Sequence, residues 1–228
     1  MLLGMLCMAQ AKDRIVERPP FLAQNSSSIE IDKIVMSDTV TTVYIKAFYR
    51  PKYWIKIATG SVLKDNNGIL YPIRKGIGIT LDKEFWMPES GEAEFQLTFP
   101  PIPQNVTRLD FSEGDFEGAY KIWGIQLDKK SFGKFKLPKD VIVPKADHKM
   151  TLPDPIVKYD KAILKGRILD YQKGMPDKGS LYYQDVIREG AQEGKIRIQD
   201  DGTFYHEMNV FMITPCTIMS VSYTHLTL

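Results

Sequence analysis

Two cysteines, Cys7 and Cys216, are all that this 228-residue chain carries. No Cys-x-x-Cys occurs, so the chain by itself cannot cycle a dithiol. The three histidines, His148, His206 and His225, lie far apart with no cysteine or histidine at ligand spacing, which argues against zinc. There is no Gly-x-Ser-x-Gly, and hence no nucleophile elbow. An excess of one charge is missing too. Thirty basic residues against twenty-eight acidic leave +2, with no run of like sign, so neither nucleic acid nor an anionic lipid surface is expected as a partner. No apolar run is long enough to span a bilayer, and no stretch beyond a turn or two has helical periodicity.

What the chain does carry is alternation. In residues 93–99 (AEFQLTF), Ala93, Phe95, Leu97 and Phe99 share one face, and Glu94, Gln96 and Thr98 the other. That period of two predicts a strand with one buried face. Pro88 and Gly91 turn the chain into it, and Pro100, Pro101 and Pro103 end it, because proline donates nothing to a ladder. Residues 29–35 and 40–49 read as further strands, the second with Val43, Ile45, Ala47 and Tyr49 on one side, and residues 53–57 restart after Arg50-Pro51. Asp65-Asn66-Asn67-Gly68 sits between two apolar runs as a hairpin turn, since Asn-Gly tolerates positive φ. Residues 107–111 and 121–127 add two strands around an acidic loop. Short strands with turn signals between them predict an all-β fold, an immunoglobulin-like β-sandwich over residues 28–128.

Around that domain the composition shifts. Residues 1–11 look like a secretory leader, apolar with an Ala9-Gln10-Ala11 cleavage match but no basic start, as in a clipped signal peptide. A chance apolar terminus is the alternative. Residues 12–27 read as a tether. A Pro/Lys-rich linker follows at residues 129–159, with Pro138, Pro144, Pro153 and Pro155 favouring extended chain. Strands return at residues 162–171, 180–186 and 195–199, with a turn at 200–204, giving a second small β-sandwich over 160–220. Residues 187–194 read as a loop. Residues 221–228 (VSYTHLTL) look like a non-native tail, and the second β-domain is truncated if they are; a genuine terminus is the alternative.

No catalytic, cofactor or metal residues stand out. Asp110, Glu113, Asp115 and Glu117 could offer oxygen ligands to Ca²⁺, but not at EF-hand spacing, and a solvated hairpin loop is the plainer reading. Ser61 with Lys64 and Ser131 with Lys134 match Ser-x-x-Lys, yet lie in a strand and a linker rather than on the helix that chemistry needs. Gly76-Ile77-Gly78 lacks the third glycine and following helix of a dinucleotide loop. Two Asn-x-Ser/Thr matches, at Asn25 and Asn105, mark exposed loops. Of the three tryptophans, Trp54 and Trp123 are expected in the core with Phe95. Trp86, with Tyr53 and Asp115, is the candidate binding surface, for a client protein or a glycan.

Several segments then carry a family resemblance: Arg18-Pro19-Pro20-Phe21, residues 27–39 (SSIEIDKIVMSDT), 48–57 (FYRPKYWIKI), 85–103 and 110–125 (DFSEGDFEGAYKIWGI). Together these resemble the N-terminal, non-catalytic region of secreted TlpA-like thiol-disulfide reductases of the thioredoxin-fold family in Gram-negative bacteria. The resemblance covers residues 14–127. It implies export to the periplasm or cell envelope, and a thioredoxin domain with Trp-Cys-x-x-Cys that is not in this sequence, so no catalytic residue carries over. The second block, through Lys165-Gly166-Arg167-Ile168, Asp201-Gly202-Thr203-Phe204 and Pro215, is similar to a carboxypeptidase-regulatory-like β-module, which implies a structural role.

Overall fold

A computed structural model describes residues 13–128, 154, 156–184, 187, 190–212 and 216–219. The leader, most of the linker, Ser131, Pro215 and residues 221–228 lie outside these. Among the described residues every regular element is a strand, and these residues fall into two compact units, one up to residue 128 and one from residue 154.

The first unit runs through β1 (Arg14–Glu17), β2 (Ala23–Gln24), β3 (Ile29–Met36), β4 (Thr41–Phe48), β5 (Trp54–Ile55), β6 (Val62–Asp65), β7 (Leu70–Pro72), β8 (Lys75–Ile77), β9 (Phe85–Trp86), β10 (Glu92–Phe99), β11 (Arg108–Ser112) and β12 (Lys121–Gln126). They build two five-stranded antiparallel sheets, β1-β3-β4-β10-β8 and β2-β12-β11-β6-β7, with β5 and β9 forming a separate ribbon. The alternation sorts as a sandwich requires. Val43, Ile45 and Ala47 of β4 and Phe95, Leu97 and Phe99 of β10 are buried, opposite Leu63 of β6, Leu109 and Phe111 of β11 and Ile122 and Ile125 of β12. One apolar cluster drawn from both sheets results. Removing that area from water, at about 25 cal/mol per Å², is the main term holding the sheets together.

Local chemistry sets the bends. Leu109 faces Ile125 while Phe111 faces Ile122, so β12 carries an extra residue and bulges. Gly124 fills the bulge at φ 66°. A Cβ there would lie 2.4 Å from the Leu22 side chain, and the Gly124 N–H donates to Asp110 Oδ1 at 2.6 Å. At the hairpin only Gly68 takes positive φ, 85°. Asn66 and Asn67 therefore form a type I turn closed by glycine, with Gly68 N–H bonded to Asp65 O at 3.0 Å, rather than the two-residue turn that needs positive φ twice. Buried Asp65 organises it: Oδ1 accepts from the N–H groups of Asn67 (2.8 Å) and Ile69 (2.9 Å), and Oδ2 from the Tyr71 hydroxyl (3.1 Å). Burial raises this carboxyl, but those donors outweigh it and its pKa is lowered.

Residues 14–24, expected as a tether, belong to the sandwich. β1 pairs with β3 from Arg14↔Met36 to Glu17↔Lys33, and β2 pairs with β12 through Ala23↔Trp123. Pro19 and Pro20, which resist regular pairing, sit between β1 and β2, where the chain crosses from one sheet to the other. Backbone bonds hold the crossing, from Arg18 N–H to Asp32 O (2.7 Å), from Gln126 N–H to Pro20 O (2.7 Å) and from Leu22 N–H to Trp123 O (2.9 Å). At the start of β1 the Arg14 guanidinium donates to the carbonyls of Gln104 (2.7 Å), Val106 (2.8 Å) and Leu127 (2.7 Å).

The second unit holds β13 (Asp160–Arg167), β14 (Lys178–Gln184), β15 (Ala191–Arg197), β16 (Thr203–Val210) and β17 (Cys216–Met219), as an antiparallel pair β13-β16 and a sheet β15-β14-β17. β15 begins at Ala191, inside the stretch read as a loop, because Ala191–Arg197 pairs along the whole of β14. The turn at residues 199–203 forms as expected, with Gly202 at φ 82° and its N–H bonded to Gln199 O at 2.8 Å.

Candidate functional site

The β5–β9 ribbon starts where pairing along β4 stops. Tyr49 N–H still bonds to Gly91 O at 2.9 Å, and Pro51 then removes the donor that would continue the ladder. Lys52 turns at φ 63°. On the other arm a turn at residues 88–91 closes with Gly91 N–H on Pro88 O at 3.0 Å, and a Cβ on Gly91 would lie 2.8 Å from Tyr49 O. The close passage of Tyr49 and Gly91 thus holds the ribbon against the end of β4.

Within the ribbon, Ile55 faces Phe85 and Trp54 faces Trp86. Opposed residues share a face. Ile55 is buried and Phe85 packs on the core, its ring centroid 6.3 Å from that of Phe95. Trp54 and Trp86 therefore point the other way, 44% and 59% exposed. Tyr53 is 53% exposed and meets the half-exposed Tyr49 edge to face, centroids 6.1 Å apart at 88°. The Arg50 guanidinium lies 5.8 Å from the Tyr53 ring centroid, within cation–π range. Lys52 and Glu89 form an ion pair at 3.5 Å beside them.

The root of the ribbon is tied down by two carboxylates. Buried Glu113 accepts from Ala58 N–H through Oε1 (2.8 Å) and from Tyr120 N–H through Oε2 (2.7 Å). Burial pushes its pKa up in spite of those donors. Asp82, at φ 59°, accepts from the Thr59 hydroxyl at 2.6 Å and the Thr59 N–H at 3.1 Å, bonds that hold its pKa down. Its own N–H reaches Ile57 O at 2.8 Å.

Of the expected surface residues, the structure brings Tyr53 and Trp86 onto one ribbon but leaves Asp115 elsewhere. Asp115 lies in the loop between β11 and β12, where it pairs with Lys121 Nζ at 2.6 Å, which lowers its pKa. Trp54, expected in the core, is corrected: it stands outside beside Trp86. The signal was in the sequence, because Trp54 and Lys56 share a face of alternating residues opposite Ile55 and Ile57, both of which are buried. Trp123 and Phe95 are buried as expected.

The acidic loop is not one site. Asp110 serves the Gly124 N–H, Glu113 is buried rather than solvated, Asp115 pairs with Lys121, and Glu117 is exposed. Among the described residues no three His, Cys, Asp or Glu come together to hold a metal. Ser61 is buried, its hydroxyl donating to Ala58 O at 2.7 Å, while Lys64 faces solvent. Three residues apart along a strand, the two cannot cooperate. At Gly76 a Cβ would lie 2.4 Å from Ile79 O, so that glycine answers to backbone crowding. No described helix is long and apolar enough to cross a membrane. No family model, curated protein or solved structure matches the chain.

Proposed function

We propose that this chain is the non-catalytic N-terminal region of an exported thiol-disulfide reductase, working in the periplasm or cell envelope. In this reading its β-units position a thioredoxin domain and offer it, or its client protein, a docking face. The resemblance over residues 14–127 supports this setting. The observation that carries it is the Arg14 clamp. Arg14 opens the first strand of the sandwich, and its guanidinium holds the Leu127 carbonyl at the last residues of that sandwich. Chain leading in and chain leading out are thereby held together at one end of the unit. That geometry suits a spacer, because the chain that leaves the first unit after Leu127 departs from a fixed point.

The test is the genomic locus, sequenced by long reads across the codon for Ser220. The reading expects the frame to continue into a thioredoxin domain with Trp-Cys-x-x-Cys. A stop after Leu228 overturns it and moves a free-standing glycan- or peptide-binding module ahead. The paired Trp54 and Trp86 favour that second reading, since their burial against a ligand would remove large apolar area from water.

A further inference from the structure

We propose that the β5–β9 ribbon is a docking surface for an extended peptide segment of a partner protein, one that carries an acidic residue. The inference goes beyond the reductase setting and holds whether or not a thioredoxin domain follows.

Backbone geometry comes first. The Met87 N–H bonds to Tyr53 O at 2.8 Å. Next along the ladder, Trp54 and Trp86 form a pair of the kind that does not exchange hydrogen bonds. Their N–H and C=O groups point away from each other, toward the two outer edges of the ribbon. The ribbon has two strands and, among the described residues, no third on either side. An extended peptide laid along β5 would add that third strand, with main-chain hydrogen bonds supplying affinity and side-chain slots supplying selectivity.

The side chains suit the same occupant. Trp, Tyr and Arg are the residue types that dominate the centres of protein interfaces. Here Trp54 is paired with Trp86, and the residue before it, Tyr53, meets Tyr49 and Arg50, all five exposed. The perpendicular Tyr49 and Tyr53 rings make a notch rather than a flat platform, a shape that accepts an inserted side chain better than a sugar ring lying face down. Charge adds direction. Lys52 is neutralised by Glu89, whereas Arg50 rests on Tyr53 with no carboxylate within ion-pair distance among the described residues. A carboxylate on the peptide would complete it, in reach of a side chain already held by the ring.

The experiment pans a phage-displayed library of random dodecapeptides against the full chain and against its Trp54→Ala/Trp86→Ala variant. Chosen peptides are then synthesised and titrated by tryptophan fluorescence. The proposal expects enriched peptides with Asp or Glu at a recurring position. It expects binding about tenfold or more weaker to Trp86→Ala, and a loss with Arg50→Ala that shrinks in high salt. Both tryptophans stand outside the core, so the variants should stay folded and melt within several degrees of the wild type, and circular dichroism checks this. Equal enrichment on wild type and double variant overturns the proposal. So does binding of a neutral or acidic oligosaccharide array that the double variant loses, which would assign the ribbon to a glycan.

Discussion

The two units use the same alternation and obtain different results from it. In the first, TTVYIKAF of β4 buries every second side chain, because a second sheet lies over that face. In the second, DKAILKGR of β13 alternates as cleanly between exposed and half-exposed positions, and none of its residues is buried. Met175, Leu181, Ile196 and Ile198 are the buried apolar side chains among the described residues of that unit. A period of two states that the faces of a strand differ. It does not state that anything covers the apolar one.

The difference should be largest in stability. All three tryptophans, Trp54, Trp86 and Trp123, lie in the first unit, so in urea their fluorescence reports that unit alone while far-ultraviolet circular dichroism reports both. The dichroism should show an earlier transition that fluorescence misses; coincident curves would break the comparison. Phe99→Ala, at a fully buried position, should cost the first unit about 3–5 kcal/mol and leave the earlier transition in place. Leu181→Ala, costing about 2–5 kcal/mol from a far smaller core, should abolish the earlier transition and spare the later one.

A second test sharpens the account of the bends in the first unit. Gly124→Ala must hold a side chain at φ 66° and push against Leu22 at 2.4 Å, so two penalties add to about 2–4 kcal/mol. Gly68→Ala meets positive φ but open space and should cost about 1 kcal/mol. Equal urea midpoints for the two variants would show that Leu22 moves aside freely.

A smaller effect separates the two buried carboxylates by pH. The folded pKa of Asp65 is lowered by backbone and tyrosine donors, so its contribution is complete above the unfolded value near 3.8 and is lost as pH falls through the folded one. For Glu113 the folded value is raised above 4.5, which reverses the sign. The native state then holds the extra proton, and stability drops as pH rises from about 4.5 through the folded pKa. Glu113→Gln removes that slope and should gain on the wild type across the same window, measured by urea midpoints at a series of pH values. A difference that stays flat with pH would show that Glu113 ionises freely in place.

Local elements were legible in the sequence. The strand at residues 93–99, the turn ending in Gly68 and the Asp201-Gly202 turn rest on neighbours in the chain, and alternation or glycine chemistry is enough to read them. The sheet order rests on partners far apart. β1 was hidden behind Pro19-Pro20 because its pairing residues lie beyond Ile29, and the role of Arg14 depends on carbonyls at residues 104, 106 and 127. Glu113 looked solvated for the same reason: its donor at Ala58 is 55 residues away. The candidate surface was half legible. Trp86 and Tyr53 were read as surface candidates, while Trp54 was placed in the core although its alternation with Ile55 and Ile57 pointed outward; its position opposite Trp86 required the β5–β9 pairing.

Trp54 is where that pairing changes a number. Read as a core residue, it would cost several kcal/mol on truncation, as Trp123→Ala should, at about 3–5 kcal/mol from a position 8% exposed. Turned outward beside Trp86, it retains part of its area in contact, and Trp54→Ala should cost about 1 kcal/mol or less. The buried neighbour Ile55 keeps β5 anchored in either variant. Urea denaturation followed by circular dichroism gives both values on one scale. A Trp54→Ala loss as large as that of Trp123→Ala would mean that the ring packs inward in solution and that the ribbon has no exposed aromatic pair. A small loss leaves Trp54 free to make its contribution on binding, where a side chain that does little for the fold can do most for an interface.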